Sequence, residues 1–186
     1  FIDGGGSTRR SSLRLREILG GPGSSATDAR VPELGEDLSV LRRATVKMGD
    51  ALAQAESEHG PVIEAKYELD DQGNLSLSIY PIGKGLGLDA ERNTFFELAG
   101  DPTGEAFAPE ISEFDVPDAE HLTRSARDLT IVQTAGLSLR EAVGSVERAV
   151  PGGFVYWAIP TIRDTRSGFG IYVLDVDGVS HYYFVS

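Results

Sequence analysis

Residues 138–186 decide the fold, and they read SLREAVGSVERAVPGGFVYWAIPTIRDTRSGFGIYVLDVDGVSHYYFVS. Ser138 and Glu141 match a capping box, in which the serine hydroxyl and the glutamate carboxylate accept hydrogen bonds from the first backbone N–H groups of a helix. Apolar residues follow at helical spacing, and Pro151-Gly152-Gly153 cannot continue the helix. The sequence therefore predicts a helix over residues 138–150 and then three strands, over residues 154–162, 169–174 and 181–185.

Two turn patterns separate these strands. Residues 164–168 form the first hairpin turn, and Asp177-Gly178 is a dipeptide favoured in two-residue hairpin turns. Turns this short join neighbouring antiparallel strands. We therefore expect a helix packed on an antiparallel sheet.

An earlier stretch, residues 48–98, repeats this order in different residues. A helical pattern over residues 36–59 ends at Gly60-Pro61, and strand patterns follow at residues 63–70, 75–80 and 93–98. Glu56 and Glu147 are 91 positions apart, as are Ala51-Leu52 and Ala142-Val143. This correspondence favours an internal duplication. The alternative is two unrelated units of a helix and a meander.

The expected fold class is α+β, with two related modules that each pack a helix on a three- to four-stranded antiparallel sheet. Residues 1–30 are predicted to be a flexible arm rich in Gly, Ser and Arg, and residues 31–99 the first module. Residues 100–115 are predicted to be an irregular linker and residues 116–186 the second module. That module opens with a further helix over residues 118–134, whose predicted core face is Leu122, Ala126, Leu129 and Val132.

The two predicted sheets differ in their outer faces. Glu64, Lys66 and Glu68 make the first one polar, whereas the second is apolar on both sides and needs cover on both. Its second cover is the first module, the helix over residues 118–134, another subunit or a ligand, and we expect cover from within the chain. The candidate partner face combines aromatic and basic residues: Tyr156, Tyr172, Tyr182, Phe184, Arg163 and Arg166.

The chain is acidic, with a net charge of −12 over 186 residues. Phosphate backbones and anionic membrane surfaces repel such a chain, which argues against nucleic acid as a partner. Residues 1–30 differ, because five arginines against three acidic residues give them a net charge of +2. No apolar run approaches the roughly 20 residues of a membrane span. The sequence has no cysteine, which excludes disulfides and thiolate metal sites.

No motif in the sequence indicates catalysis. His59, His121 and His181 lie in three different predicted elements, without metal-ligand spacing. Residues 175–178 match the start of a calcium loop but lack its later oxygen ligands, so we interpret them as a turn. The glycine-rich residues 83–87 lead to a strand, whereas a phosphate-binding loop leads to a helix. We predict no catalytic residues, no metal, no cofactor and no small-molecule ligand.

The order of helix, glycine break and antiparallel meander resembles the PepSY-type domain, a small exported module of bacteria. The resemblance covers residues 139–185 and an earlier copy over residues 48–98, with Asp-containing turns at residues 175–178 and 70–73. It implies tandem PepSY-like modules and a periplasmic or secreted location. It also implies a non-enzymatic binding or inhibitory role, often towards peptidases, with a protein as the partner.

Two other functions are compatible with the sequence. One is a structural or assembly subunit, which would use the basic arm and the apolar C-terminal sheet as contacts with itself or another protein. The other is an enzyme, which would need a pocket enclosing a buried Asp, Glu or His.

Overall fold

The computed structural model describes residues 38–82, 94–115 and 118–186. The predicted arm over residues 1–30 and the glycine-rich residues 83–87 lie outside these ranges. The described helices are a 3-10 helix (Leu38–Arg43), α1 (Met48–His59), α2 (Ala119–Thr134) and α3 (Leu139–Ala149). The described strands are β1 (Val62–Leu69), β2 (Leu75–Pro81), β3 (Thr94–Gly100), β4 (Glu110–Asp115), β5 (Phe154–Arg163), β6 (Arg166–Leu174) and β7 (Ser180–Val185).

All seven described strands belong to one antiparallel sheet, in the order β4-β3-β2-β1-β5-β6-β7. β1 and β5 lie side by side at its centre, where Ala65 pairs with Ala158 and Lys66 pairs with Trp157. Helices packed on this sheet confirm the α+β class. The two sheets expected from the sequence are continuous, because β1 and β5 join the two meanders.

α1 and α3 pack on one face of the sheet, which we call the helical face. The two helices contact each other, and Arg140 of α3 donates to Glu56 of α1 at 2.7 Å. Tyr67 of β1 is buried there, and its hydroxyl donates to the carbonyl of Val46 at 2.7 Å. Buried side chains from both helices and from β1, β2, β5 and β6 form one hydrophobic core.

α2 covers the opposite face, which we call the aromatic face. α2 and α3 both contact β1, β5 and β6, yet they share few contacts with each other although only residues 135–138 separate them. Two helices that cover the same strands without packing together lie on opposite sides of the sheet. The cover expected from within the chain is therefore α2.

The predicted helix over residues 36–59 is interrupted. A 3-10 helix occupies Leu38–Arg43, and α1 begins only at Met48. Between them, the backbone N–H groups of Thr45 and Val46 donate to the carbonyl of Pro102 at 2.9 and 3.1 Å. These tertiary bonds replace the bonds that a continuous helix would make, and β-branched residues favour extended backbone.

α2 and α3 begin where the sequence predicts. The capping box at α3 is complete, with Ser138 Oγ accepting from the Glu141 N–H and Glu141 Oε2 accepting from the Ser138 N–H. The predicted core face of α2 is confirmed in part. Leu122, Leu129 and Val132 are half-buried, but Ala126 is exposed, and the fully buried residues are Asp128 and Ile131. Apolar spacing did not identify a face that includes a carboxylate.

Residues 100–115 are not irregular throughout. Glu110–Asp115 forms β4, which pairs with β3 from Thr94–Asp115 to Ala99–Glu110. Pro102 and Pro109 made the stretch read as a linker, but both lie before the strand, where proline is tolerated.

Two turns share the same hydrogen bonds. The N–H groups of Gln72 and Asn74 donate to Asp70 Oδ1, and those of Asp177 and Val179 donate to Asp175 Oδ1. The turn predicted at Asp177-Gly178 therefore extends from residue 175 to residue 179. The first turn joins β1 to β2 and the second joins β6 to β7, so they are not equivalent positions of the two meanders.

Candidate binding surface

The structure separates the six residues of the candidate partner face. Tyr156 and Phe184 are 0% exposed and Tyr172 is 7% exposed, while Tyr182 is half-buried. The other two, Arg163 and Arg166, are exposed. Because α2 covers the aromatic residues, the arginines are the part of this face that a partner can reach in the folded chain.

The buried aromatic residues form a ladder across β5, β6 and β7. Trp157 stacks on Tyr172 with 4.8 Å between ring centroids, and Tyr182 meets Tyr172 edge-on at 5.1 Å. The Tyr156 and Ser180 hydroxyls are 2.7 Å apart, and Trp157 Nε1 donates to Glu64 Oε1 at 2.9 Å. Burial raises the pKa of Tyr156 to about 12. The ladder is core structure that supports the β5–β6 hairpin.

The end of that hairpin, which we call the arginine tip, comprises residues 162–166. Arg163 pairs directly with Arg166 across the turn, so the two side chains project from the same face of the hairpin. Ile162, next to them, is 51% exposed. The tip therefore presents an aliphatic side chain and two guanidinium groups on a protein whose net charge is −12.

The turn at the tip is strained. Asp164 and Thr165 close it with φ angles of 49° and 65°, the left-handed region that favours glycine. A two-residue turn of this kind usually contains Asn-Gly. Aspartate tolerates the left-handed region, whereas the β-branched Thr165 costs on the order of 1–2 kcal/mol there. The shortness of the turn fixes the separation of the two arginines. A backbone outlier held in place this way is a reason to suspect function.

Packing near the base holds the hairpin in place. Thr134, the last residue of α2, donates from Oγ1 to Ser167 Oγ at 2.7 Å. A Cβ at Gly168 would lie 2.2 Å from the carbonyl oxygen of Val185, and one at Gly170 would lie 2.8 Å from the Tyr182 ring. These glycines let β7 and its aromatic side chains close over β6.

The polar face of β1–β3 contains several half-buried ionisable groups, each in a local contact. Lys66 forms an ion pair with Glu68, and Tyr80 donates to Glu97 at 2.9 Å. Burial and the neighbouring carboxylates raise the pKa of Tyr80 above its ordinary value. These contacts stabilise the polar side of the sheet.

The three histidines remain apart. His59 ends α1, His121 contacts its helix cap Asp118, and His181 Nε2 lies 2.6 Å from Asp175 Oδ2. The contact with His181 is the main cause of the lowered pKa of Asp175. Within the described ranges, no three His, Asp or Glu side chains are grouped so that they could hold a metal ion.

An open groove of about 450 Å³ lies at the end of the sheet opposite the arginine tip. Asp70 and Asp101 line it, together with Arg43. Hydrogen bonds from their own turns, Asn74 first for Asp70 and Thr103 first for Asp101, lower the pKa values of both carboxyl groups. Both carboxylates are thus occupied in shaping the loops.

The described helices include none that is long and apolar enough to cross a membrane.

Sequence reasoning identified the arginines of the tip but missed its strain. Asp164-Thr165 contains no glycine, and such a dipeptide is not typical of a two-residue turn. The available signal was the strand pattern on both sides of the turn. β6 begins at Arg166, before its predicted start at residue 169, so only two residues separate it from Arg163.

Comparisons with protein families, with curated proteins and with solved structures found no match.

Proposed function

We propose that this protein is a non-enzymatic binding or inhibitory protein that acts outside the cytoplasm and presents the arginine tip to a protein partner. The observation that supports this most is the combination of exposed Ile162, Arg163 and Arg166 around a strained turn. Arginine is enriched at protein interfaces and among the residues that dominate binding energy.

The geometry of the tip favours binding by a surface that is already in its bound conformation. A two-residue turn holds the arginines on paired positions, so a partner need not order a flexible loop on binding. The aromatic ladder and the Thr134–Ser167 hydrogen bond support the hairpin from below. A rigid projection with two arginines can insert into an acidic groove of a partner, and this would suit a binding or inhibitory protein.

We further propose that the chain consists of tandem PepSY-like modules. Gly49 donates to Glu147 and Arg140 donates to Glu56, so the antiparallel helices α1 and α3 exchange contacts at positions that correspond with an offset of 91. β1 and β5 also each contain a bulge near their start, at Val62/Glu64 and Val155/Trp157. An experimental structure whose two units fail to superpose would contradict the duplication.

The binding role is tested with the full chain and a double variant, Arg163→Glu/Arg166→Glu. Each protein is immobilised and exposed to the extracytoplasmic fraction of the source organism, and a retained protein is then purified and titrated by calorimetry. Loss of two interface arginines is expected to cost about 2 kcal/mol or more, roughly 30-fold in Kd. The matched control is Arg124→Glu/Arg148→Glu, which makes the same charge change at exposed positions elsewhere.

Equal affinity of the arginine-tip variant and the control for that protein would contradict a role for the tip. If the retained protein is a peptidase, its hydrolysis rate with and without the chain distinguishes inhibition from simple binding. Recovery of the native gene product from the cytoplasmic fraction alone would contradict the proposed location. A higher oligomer of the chain that dissociates in the double variant would favour an assembly subunit instead.

A further inference from the structure

β4 forms an outer edge of the described sheet. It pairs with β3 on one side, and no described strand pairs with its other side. Glu110, Ile111, Ser112 and Glu113 are exposed, and Ile111 is 58% exposed. The outward backbone N–H and C=O groups of such a strand can accept a further strand.

This edge lies in the most acidic part of the chain. Residues 101–120 contain seven acidic residues and no Lys or Arg, which is more than half of the net charge of −12. Two such edges repel each other, so pairing of β4 with β4 of a second copy is unfavourable. The charge instead favours a basic strand.

The most basic segment of the sequence has the complementary charge. Residues 9–16 read RRSSLRLR, four arginines without an acidic residue. Leucine and arginine alternate from Leu13 to Arg16, so an extended strand of this segment has one apolar and one basic side. On β4, Ile111 and Glu113 share one face and Glu110 lies on the other, so the basic side of the segment meets a carboxylate on either face.

The connection is long enough and starts in the right place. Residues 17–37 join the segment to Leu38, and a connection of 21 residues can reach about 25 Å. Just after the 3-10 helix, Thr45 and Val46 donate to Pro102, in the loop that leads into β4. A tether of this length keeps the segment at high effective concentration near the edge.

We propose that residues 9–16 bind along the outer edge of β4 of the same chain. This interaction covers an edge strand that would otherwise be open to other chains. It is separate from the arginine tip, so neither proposal depends on the other.

Trypsin tests the proposal on the full chain, because it cleaves after Arg14 and Arg16 only when they are accessible. We expect cleavage there in 50 mM NaCl to be about tenfold slower in the unaltered protein than in Glu110→Lys/Glu113→Lys, and to accelerate in 500 mM NaCl as salt screens the contacts. The control Glu58→Lys/Asp71→Lys, with the same charge change at other exposed residues, should be cleaved as slowly as the unaltered protein.

Hydrogen exchange gives a second readout that does not depend on the trypsin sites. The outward amides of β4 should be protected in the unaltered protein and lose that protection in Arg14→Glu/Arg16→Glu, while amides of β1 and β5 stay unchanged. Equal cleavage of all three proteins at low salt would overturn the proposal. Protection that disappears on dilution would also overturn it, because the segment would then come from a second copy.

Discussion

Trp157 lies where the centre of the sheet meets the aromatic ladder. It is 3% exposed, stacks on Tyr172 and donates to Glu64. Trp157→Ala should cost about 3–5 kcal/mol of unfolding free energy because it leaves a cavity. Trp157→Phe keeps most of the ring, loses the N–H donor and should cost about 1 kcal/mol for the hydrogen bond, before any loss of packing.

Urea unfolding followed by far-ultraviolet circular dichroism measures both variants without relying on the lost fluorophore. Val176→Ala, at an exposed turn position, is the control and should change stability by less than about 0.5 kcal/mol. If Trp157→Ala is as stable as this control, the indole does not belong to the core.

Glu147 gives a prediction about pH. Its side chain lies against Gly49, whose N–H donates to Oε1 at 3.4 Å, and burial is the main cause of its raised pKa, with Asp50 adding to the shift. The folded state therefore holds this proton more tightly than the unfolded state. Its contribution to stability is complete below the unfolded pKa of about 4.3 and is lost as pH rises through the folded pKa.

Glu147→Gln should remove this dependence, because the amide stays neutral and still accepts from Gly49. Relative to the unaltered protein, the variant should gain stability between pH 4 and pH 7. Thermal unfolding at several pH values measures the gain, with Glu58→Gln at an exposed helix position as the control. A constant difference between Glu147→Gln and the unaltered protein at every pH would rule out the raised pKa.

At the scale of elements, the β5–β6 hairpin combines a favourable register with an unfavourable turn. Thr165 has a φ of 65°, which glycine adopts without steric cost. Thr165→Gly should stabilise the protein by about 1 kcal/mol, since the relief of strain exceeds the added flexibility of the unfolded chain. Thr165→Ala is the matched control and should gain much less, because it keeps the Cβ.

Chemical denaturation monitored by Trp157 fluorescence measures both variants. A stabilised Thr165→Gly protein that also binds its partner less tightly would indicate that the strain is maintained for recognition. Loss of stability in Thr165→Gly would show that the threonine side chain makes a contact worth more than the strain.

The elements that sequence predicted are those fixed by neighbouring residues. The start of α3 depends on Ser138 and Glu141, three positions apart, and the pattern alone located it. The break before α1 depends on the carbonyl of Pro102, which is 57 positions from Thr45. No local pattern reveals a partner so distant in the sequence.

The candidate partner face also combines features set by neighbouring residues with features set by distant ones. Arg163 and Arg166 could be named from the sequence because turn residues tend to be exposed. The burial of Tyr156, Tyr172 and Phe184 could not be derived, since it depends on which face α2 covers. The inward side of α2 also includes Asp128 and Ile131, so its apolar pattern located that side only in part.

For the whole molecule, the main consequence of the topology is a single core. β1 and β5 join the two meanders, and α1 packs against α3 across that junction. Core residues from the first and the last half of the chain belong to the same hydrophobic cluster. Such a structure should unfold as one cooperative unit.

Leu77→Ala in β2 and Ile171→Ala in β6 test this cooperativity, because both side chains are fully buried and lie on opposite sides of the junction. Each substitution should cost about 2–5 kcal/mol. In each variant the urea midpoints from Trp157 fluorescence and from circular dichroism should fall together, although Trp157 belongs to the second meander and Leu77 to the first. If Leu77→Ala lowers the circular dichroism midpoint and leaves the Trp157 transition in place, the two meanders unfold independently despite their shared sheet.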